Sequence, residues 1–265
     1  MKYGESAKLI RHCFVVGAQR SGTTYLHKLL SSHPQIEMNE PWWPEPKFFL
    51  RSDSVTRVDE YLKKLYSQDD VLVRGEKTVS YMEHPDVAGR IKLCFADALI
   101  LFMIRDPINR AISNYWYSRN NGLEDETIDE VLSNESLQDR PYDKSRITGC
   151  PPYHYLMRGK YVDYIERFLE HFDRGQIKVL VNENVVGNRA AVRDLFEFLG
   201  VEPAFVSPSI DEKVNGEVPA DSGHIRPETE AFLREYYRKA NQELENRFQL
   251  DLSRWRSQIT SKITA

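Results

Sequence analysis

Residues 98–104 (ALILFMI) are apolar without interruption, and this run constrains the fold more than any other part of the sequence. A strand with one face in solvent alternates apolar and polar residues, whereas a central strand of a parallel sheet is buried on both faces and apolar throughout. Shorter runs that also predict strands lie at residues 12–17, 71–75 and 177–181. The pattern therefore predicts a parallel sheet built around residues 98–104.

Helical segments alternate with these strands. Asp106 followed by Pro107 is typical of a helix start, and Ser54 and Pro85 are expected to open two further helices. The predicted helices are residues 22–32, 54–66, 85–95, 107–119, 127–133, 159–172, 189–199 and 227–247. The alternation predicts one α/β domain, residues 1–265, with a central parallel sheet flanked by helices on both faces.

The composition excludes some classes of protein. With 265 residues, 41% of them hydrophobic and 29% charged, the chain has the size and composition of a folded globular domain. Its net charge of −4 disfavours a nucleic-acid-binding protein, which usually has a basic surplus. No apolar stretch has the length of a signal peptide or a membrane span. Cys13, Cys94 and Cys150 are an odd number without CxxC spacing, and Cys13 and Cys94, which lie beside apolar runs, are predicted to be buried thiols; this favours a cytoplasmic location.

Residues 17–24 (GAQRSGTT) join the first strand directly to the following helix. Two glycines let the backbone N–H groups converge on an anion at the helix N-terminus. Arg20 adds a guanidinium that binds phosphate in a bidentate way, and Thr23 and Thr24 add hydroxyl donors. The P-loop of nucleoside-triphosphate-binding proteins has lysine after its second glycine, where Thr23 stands here. The loop therefore predicts a phosphate site that does not handle β- and γ-phosphates as an ATPase does.

The run GAQRSGTTYL resembles the 5′-phosphosulfate loop of sulfotransferases that use 3′-phosphoadenosine 5′-phosphosulfate (PAPS) and release its desulfated product, PAP. The resemblance is to the branch that includes heparan sulfate N- and 3-O-sulfotransferases and many bacterial relatives. It implies a P-loop-like strand, loop and helix, and it assigns the 5′-phosphosulfate to Arg20, Ser21, Gly22, Thr23 and Thr24.

A second anion site is predicted at the end of the central strand. Arg105 ends that strand, and Ser113 lies two turns into the following helix. The run IRDPINRAISNYW resembles the family's 3′-phosphate motif, in which an arginine and a serine eight residues later bind that phosphate. One fixed guanidinium and one hydroxyl suit a terminal phosphate. Phosphate sites for both ends of one nucleotide favour PAPS over ATP.

Sulfuryl transfer to a hydroxyl requires a base for the acceptor proton and cations for the leaving oxygen. Residues 45–49 (EPKFF) resemble the family's Glu-x-x-Phe-Phe segment, which implies that Glu45 is the general base, with Glu40 as the local alternative. Residues 76–81 (EKTVSY) resemble its Glu-Lys-Ser/Thr-x-x-Tyr segment, so Lys77 would stabilise the transferring group or orient the base; the alternative is an ion pair with Glu76 or Glu83. No acidic metal-binding cluster stands out, and no metal is expected to be required.

The acceptor and the loop that closes over the nucleotide remain open at this point. Trp42, Trp43 and Tyr81 are aromatic residues that favour a glycan or glycolipid acceptor, while a small-molecule alcohol, a carrier-bound polyketide hydroxyl or an amine stays possible. The family's basic loop before the last helix corresponds to residues 211–226, where Glu217 stands in place of an expected base and Lys213, His224 and Arg226 are substitutes. Two alternative functions are a P-loop small-molecule kinase or nucleotide-binding protein and a non-catalytic PAP-binding protein.

Overall fold

The computed structural model describes residues 10–143, 150–212 and 225–257. Within them, five parallel strands form one sheet in the order β2-β3-β1-β4-β5. The strands are β1 (Arg11–Gly17), β2 (Ile36–Met38), β3 (Val73–Lys77), β4 (Leu99–Ile104) and β5 (Ile177–Val181). The predicted α/β fold with a central parallel sheet is confirmed.

Helices follow the strands and cover the sheet. They are α1 (Thr23–Ser31), α2 (Val58–Leu65), α3 (Val87–Cys94), α4 (Pro107–Asn120), α5 (Ile128–Ser133), α6 (Tyr161–Leu169), α7 (Asn182–Val185), α8 (Arg189–Leu199), α9 (Pro227–Phe248) and α10 (Ser253–Ser257). The helix start predicted after β4 is confirmed, because the Asp106 carboxylate accepts hydrogen bonds from the N–H groups of Ile108 and Asn109. Pro107 is the first residue of α4.

Several elements differ from the sequence-based expectation: the second predicted strand, residues 71–75, is shifted to Val73–Lys77, and β2 and the starts of α2 and α3 also differ. β2 was not predicted, since it has only three residues, and the Glu37 carboxylate in its middle accepts hydrogen bonds from the N–H groups of Ser67 and Gln68. The expected serine cap at Ser54 is wrong: this residue lies inside a short 3-10 turn before α2, and its side chain caps no helix. Pro85 precedes α3, whose N-cap position is occupied by Asp86.

The core lies on both faces of the sheet, as the apolar run in β4 indicates. Ile100, Phe102 and Ile104 pack on one face against residues of α3 and α6. Leu99, Leu101 and Met103 pack on the other face against residues of α1 and α8. Because successive side chains of a strand point to opposite faces, both sets must be apolar, and all six are buried. Cys13, Cys94 and Cys150 form no disulfide.

The strand order places three loops next to each other. β1 lies between β3 and β4, so the carboxyl ends of these three strands meet at one edge of the sheet. Ligands of open α/β sheets bind in the crevice at such an edge, where the strand order reverses. Gly17, Lys77 and Arg105 lie at or just beyond these three strand ends. Among the residues described, no helix is both long and apolar enough to cross a membrane.

Candidate active site

The loop between β1 and α1 is shaped by two residues with a left-handed backbone conformation. Arg20 has a φ of 67° and Gly22 a φ of 90°. A Cβ atom on Gly22 would lie 2.2 Å from Nδ2 of Asn182, so this position requires glycine for its conformation and for space. The N–H of Ala18 donates to the carbonyl of Met103 at 2.7 Å. The loop is therefore fixed beside β4, and it presents the N-terminus of α1, which has no side-chain cap.

The two predicted phosphate motifs meet in space. Nε of Arg20 donates a hydrogen bond to Oγ of Ser113 at 3.1 Å, across 93 residues of sequence. The Arg20 guanidinium also lies over the ring of Tyr117, 5.1 Å from its centre. Ser113 and Tyr117 are one turn apart on α4, so this helix supports the arginine of the β1–α1 loop by a hydrogen bond and a cation–π contact.

Arg105 occupies the first position after β4 and is half-buried. No ion pair engages its guanidinium within residues 10–143, 150–212 and 225–257. The neighbouring Asp106 is buried, and burial raises its pKa to about 6, with the nearby Glu183 carboxylate acting in the same direction. The end of β4 thus combines a guanidinium whose donors can face a ligand with a firmly capped helix start.

Glu45 and Lys77 form a buried ion pair at the end of β3. Nζ of Lys77 lies 2.7 Å from Oε1 of Glu45, and the N–H of Val79 donates to Oε2 at 3.1 Å. The side chain of Glu45 is only 5% exposed and that of Lys77 only 3%. Of the alternatives for Lys77, the structure therefore shows a pair with Glu45 rather than with Glu76 or Glu83. Glu40, the alternative base, is exposed.

A second buried carboxylate, Glu76, lies beneath this pair. It accepts hydrogen bonds from the hydroxyls of Tyr61 at 2.7 Å and Thr78 at 2.6 Å. The Thr78 hydroxyl in turn accepts from the N–H of Lys47, and the Tyr81 hydroxyl accepts from the N–H of Phe49. Burial raises the pKa of Glu76, while the hydroxyl donors act in the opposite direction. The network attaches the segment that carries Glu45 to the end of β3.

Sequence reasoning did not identify this hydroxyl network or Asn39. The side-chain oxygen of Asn39 accepts a hydrogen bond from the backbone N–H of Lys77 at 3.0 Å. The backbone N–H of Asn39 donates to the carbonyl of Gly75. A glutamate that follows Gly75 in a buried strand was the available signal, because an ionisable residue is rarely buried without partners. Within the described residues, no three His, Cys, Asp or Glu side chains are grouped as metal ligands.

The segment expected to close over the nucleotide lies largely outside the described residues. This holds for Lys213, Glu217 and His224. Arg226 directly precedes α9, where its backbone N–H donates to the Asp129 carboxylate at 2.8 Å and its guanidinium lies 3.4 Å from the same group. This arginine therefore connects α9 to α5.

The fold is that of an α/β domain with candidate phosphate-binding groups at one edge of its sheet, and comparison with known proteins defines the family. Residues 11–217 match the sequence model of the sulfotransferase domain, so the chain belongs to the sulfotransferase family, as its motifs predicted. A sulfotransferase from Alicyclobacillus acidocaldarius, solved by crystallography, superposes with a TM-score of 0.74 at 28% identity, over 94% of this chain and 99% of that one.

Curated relatives come from the heparan sulfate branch. Mouse heparan sulfate glucosamine 3-O-sulfotransferase 3B1 is 28% identical over 207 residues, which cover 75% of this chain and 48% of that protein. Human bifunctional heparan sulfate N-deacetylase/N-sulfotransferase 3 is 28% identical over 197 residues, which cover 72% of this chain and 22% of that protein. The chain therefore matches about half of the first relative and a smaller part of the second. A mouse sulfotransferase complexed with PAP shares the fold, with a TM-score of 0.55 at 15% identity.

Proposed function

We propose that this chain transfers the sulfuryl group of PAPS to an acceptor hydroxyl, or to an amine, with Glu45 as the general base. The observation that carries the proposal is the buried Glu45–Lys77 pair, 2.7 Å apart at the end of β3, next to the phosphate loop that follows β1. Membership of the sulfotransferase family supports the reaction class. That membership, together with Thr23 in place of the P-loop lysine, disfavours a kinase.

The residues present fit a nucleotide with phosphate at both ends. The N–H groups at the start of α1, the hydroxyls of Thr23 and Thr24 and the Arg20 guanidinium offer donors for the 5′-phosphosulfate. Ser21 and Gly22 contribute backbone to the same loop. Arg105 and Ser113 offer a guanidinium and a hydroxyl for the 3′-phosphate. The PAP complex of the mouse fold relative supports this class of ligand.

In the proposed reaction, Glu45 removes the proton of the acceptor hydroxyl as its oxygen forms a bond to sulfur. The bond between sulfur and the bridging oxygen of PAPS breaks on the opposite side, and PAP leaves with the electron pair. Lys77 holds the Glu45 carboxylate in place through its hydrogen bond, and in this proposal its ammonium stabilises the negative charge that develops on the leaving oxygen. The Val79 N–H orients the second carboxylate oxygen. Lysine and arginine charges therefore perform the stabilisation that a metal supplies in many phosphoryl transfers.

The acceptor is proposed to be a glycan or glycolipid hydroxyl bound against two exposed tryptophans. Trp42 and Trp43 are 45% and 60% exposed, although large apolar side chains are usually buried. The ring of Trp42 lies 5.7 Å from Nζ of Lys77, so an acceptor that reaches Glu45 passes this indole. An indole ring stacks well on the apolar face of a sugar. The names of the heparan sulfate relatives agree with a sugar acceptor.

The Arg105→Ala variant is expected to bind PAP at least about tenfold more weakly, because a hydrogen bond to a charged group contributes about 1.5–3 kcal/mol. Its affinity for AMP, which lacks the 3′-phosphate, should change little. Calorimetry without Mg²⁺ measures both constants. Arg119→Ala on the exposed end of the same helix is the control and should bind both nucleotides as the wild type does. Equal affinities of the wild-type protein for PAP and AMP would contradict the assignment.

Trp42→Ala is expected to raise the KM of the acceptor by several-fold, in line with the about 0.5–1.5 kcal/mol that a contact with an aromatic ring contributes. The KM for PAPS should stay near the wild-type value. ³⁵S-labelled PAPS and a panel of oligosaccharides, glycolipids and aliphatic alcohols identify the acceptor, and initial rates then give both KM values. Leu93→Ala, which alters another exposed apolar side chain outside the site, is the control. If the KM of the acceptor is unchanged in Trp42→Ala, the acceptor does not bind against this tryptophan.

A further inference from the structure

The peptide group between Arg105 and Asp106 is held on both sides. The Tyr161 hydroxyl, at the start of α6, donates to the carbonyl of Arg105 at 2.7 Å. Oε1 of Glu183, in α7, accepts from the N–H of Asp106 at 3.0 Å. These two bonds, here called the peptide clamp, restrict rotation on either side of that peptide. The clamp therefore fixes the direction in which the Arg105 side chain leaves the end of β4.

Trp255, in α10, contacts both members of the peptide clamp. Its indole N–H donates to Oε2 of Glu183 at 3.1 Å, and its ring centre lies 6.2 Å from that of Tyr161. The side chain is 5% exposed. The Arg254 guanidinium also donates to the backbone carbonyl of Glu183. Through Glu183, α10 is thus connected to the end of β4. These bonds do not include the side chain of Arg105 itself.

The chemistry of the clamp suits a fixed support. Burial raises the pKa of Tyr161 to about 12, so its phenol stays protonated and donates at every physiological pH. Glu183 uses its two carboxylate oxygens for two different N–H donors, one from the backbone and one from the indole. Loss of the indole donor would leave one oxygen without this partner and loosen the orientation of the other. Trp255 also lies beyond residue 217, where the match to the family ends.

We propose that Trp255 and Glu183 are positioning residues for the 3′-phosphate: α10 holds the peptide clamp, and the clamp orients Arg105 before the nucleotide arrives. This inference rests on the proposed PAPS site. A preset guanidinium loses less conformational freedom on binding, so its contact contributes more to affinity. The effect of losing the indole should be largest for nucleotides that carry a 3′-phosphate, because Trp255 and Glu183 act on the peptide between Arg105 and Asp106. Tyr161 is unsuited to this test, because its hydroxyl also interacts with Ser21 of the β1–α1 loop.

The test compares PAP and AMP binding by calorimetry in the full chain. Trp255→Phe keeps an aromatic ring and the net charge but removes the indole donor. It is expected to raise the Kd for PAP about three- to tenfold, a fraction of what a hydrogen bond to a charged group contributes because the indole acts through Glu183, and to leave the Kd for AMP unchanged. Glu183→Gln keeps the size of the side chain but leaves one acceptor oxygen for two N–H donors, so it should give the same selective loss. If Trp255→Phe does not fold, Glu183→Gln decides the question.

A matched control separates positioning from general stability. Leu199→Ala removes a buried side chain of α8 that belongs to the core on the other face of the sheet from Tyr161 and Trp255, so it should lower Tm yet leave both Kd values unchanged. The inference is overturned if both clamp variants keep the wild-type ratio of PAP to AMP affinity, or if they weaken both nucleotides equally. In either case the wild-type protein would still prefer PAP to AMP, and the proposed function would stand. If the wild-type protein binds PAP and AMP equally, both the positioning role and the proposed 3′-phosphate site are overturned.

Discussion

Glu45→Gln is expected to lower kcat at least about a hundredfold, since general-base catalysis contributes about 10²–10⁴-fold. The amide keeps the size of the side chain and can still accept from Val79, but it cannot take up the acceptor proton. The base acts only in the transition state, so the affinity for PAP should be unchanged. Initial rates with ³⁵S-labelled PAPS and calorimetry with PAP measure the two quantities on the same preparation.

Glu40→Gln is the matched control, because it makes the same chemical change five residues earlier in the same loop. Glu40 is exposed, and this variant should retain nearly wild-type kcat. Lys77→Ala should also slow turnover, but through loss of charge stabilisation, so its defect should lack the acid-side pH dependence of a general base. A nearly normal Glu45→Gln together with an inactive Glu40→Gln would place the base at Glu40.

Arg158→Met is expected to destabilise the protein by about 3–5 kcal/mol, because removing one partner of a buried ion pair leaves the other charge uncompensated. Arg158 is fully buried, and its guanidinium donates to both carboxylate oxygens of Glu83, at 2.7 and 3.0 Å. Burial acts to raise the pKa of Glu83, but the Arg158 charge outweighs it, so the pKa lies below its usual range. Urea denaturation at pH 7 measures the change in free energy of unfolding.

The double variant Arg158→Met/Glu83→Gln should recover part of that loss, since no unpaired charge remains. Arg238→Met breaks an exposed ion pair with Glu235 and should change stability by less than about 1 kcal/mol. If Arg158→Met lowers the free energy of unfolding as little as Arg238→Met does, water reaches Glu83.

The ion pair of Arg158 with Glu83 also matters for the site, because Arg158 donates to the side chain of Asn114, which is adjacent to Ser113. Loss of Arg158 should therefore weaken PAP binding in the molecules that still fold.

The parts of the fold that were predicted correctly depend on local chemistry. The apolar run of β4, the Asp106 cap with Pro107, and the glycines between β1 and α1 each dictate their conformation within a few residues. The bounds of β5 and α8 were also correct, since apolar periodicity is strong there. Features of this kind place the phosphate loop and Arg105 at one edge of the sheet before any tertiary contact is known.

The features that were missed depend on contacts between distant segments. β2 has three residues and α10 has five, so neither is long enough for a periodic pattern. Glu183 looks like an ordinary acidic residue in the sequence, and only the backbone and indole donors around it in the folded chain explain its contacts. The ion pair of Glu45 with Lys77 could not be predicted either, because the motif resemblance identifies both residues without giving their separation.

The hydrogen bond from Arg20 to Ser113 means that the two ends of the proposed nucleotide site are energetically coupled. A serine hydroxyl has two lone pairs and one proton, and Arg20 uses a lone pair, so the proton remains for a phosphate oxygen. Removing the Ser113 hydroxyl would deprive Arg20 of an anchor as well as the 3′-phosphate of a donor. Substitutions of Arg20 and Ser113 should therefore be non-additive, although the two residues are proposed to bind phosphates at opposite ends of the nucleotide.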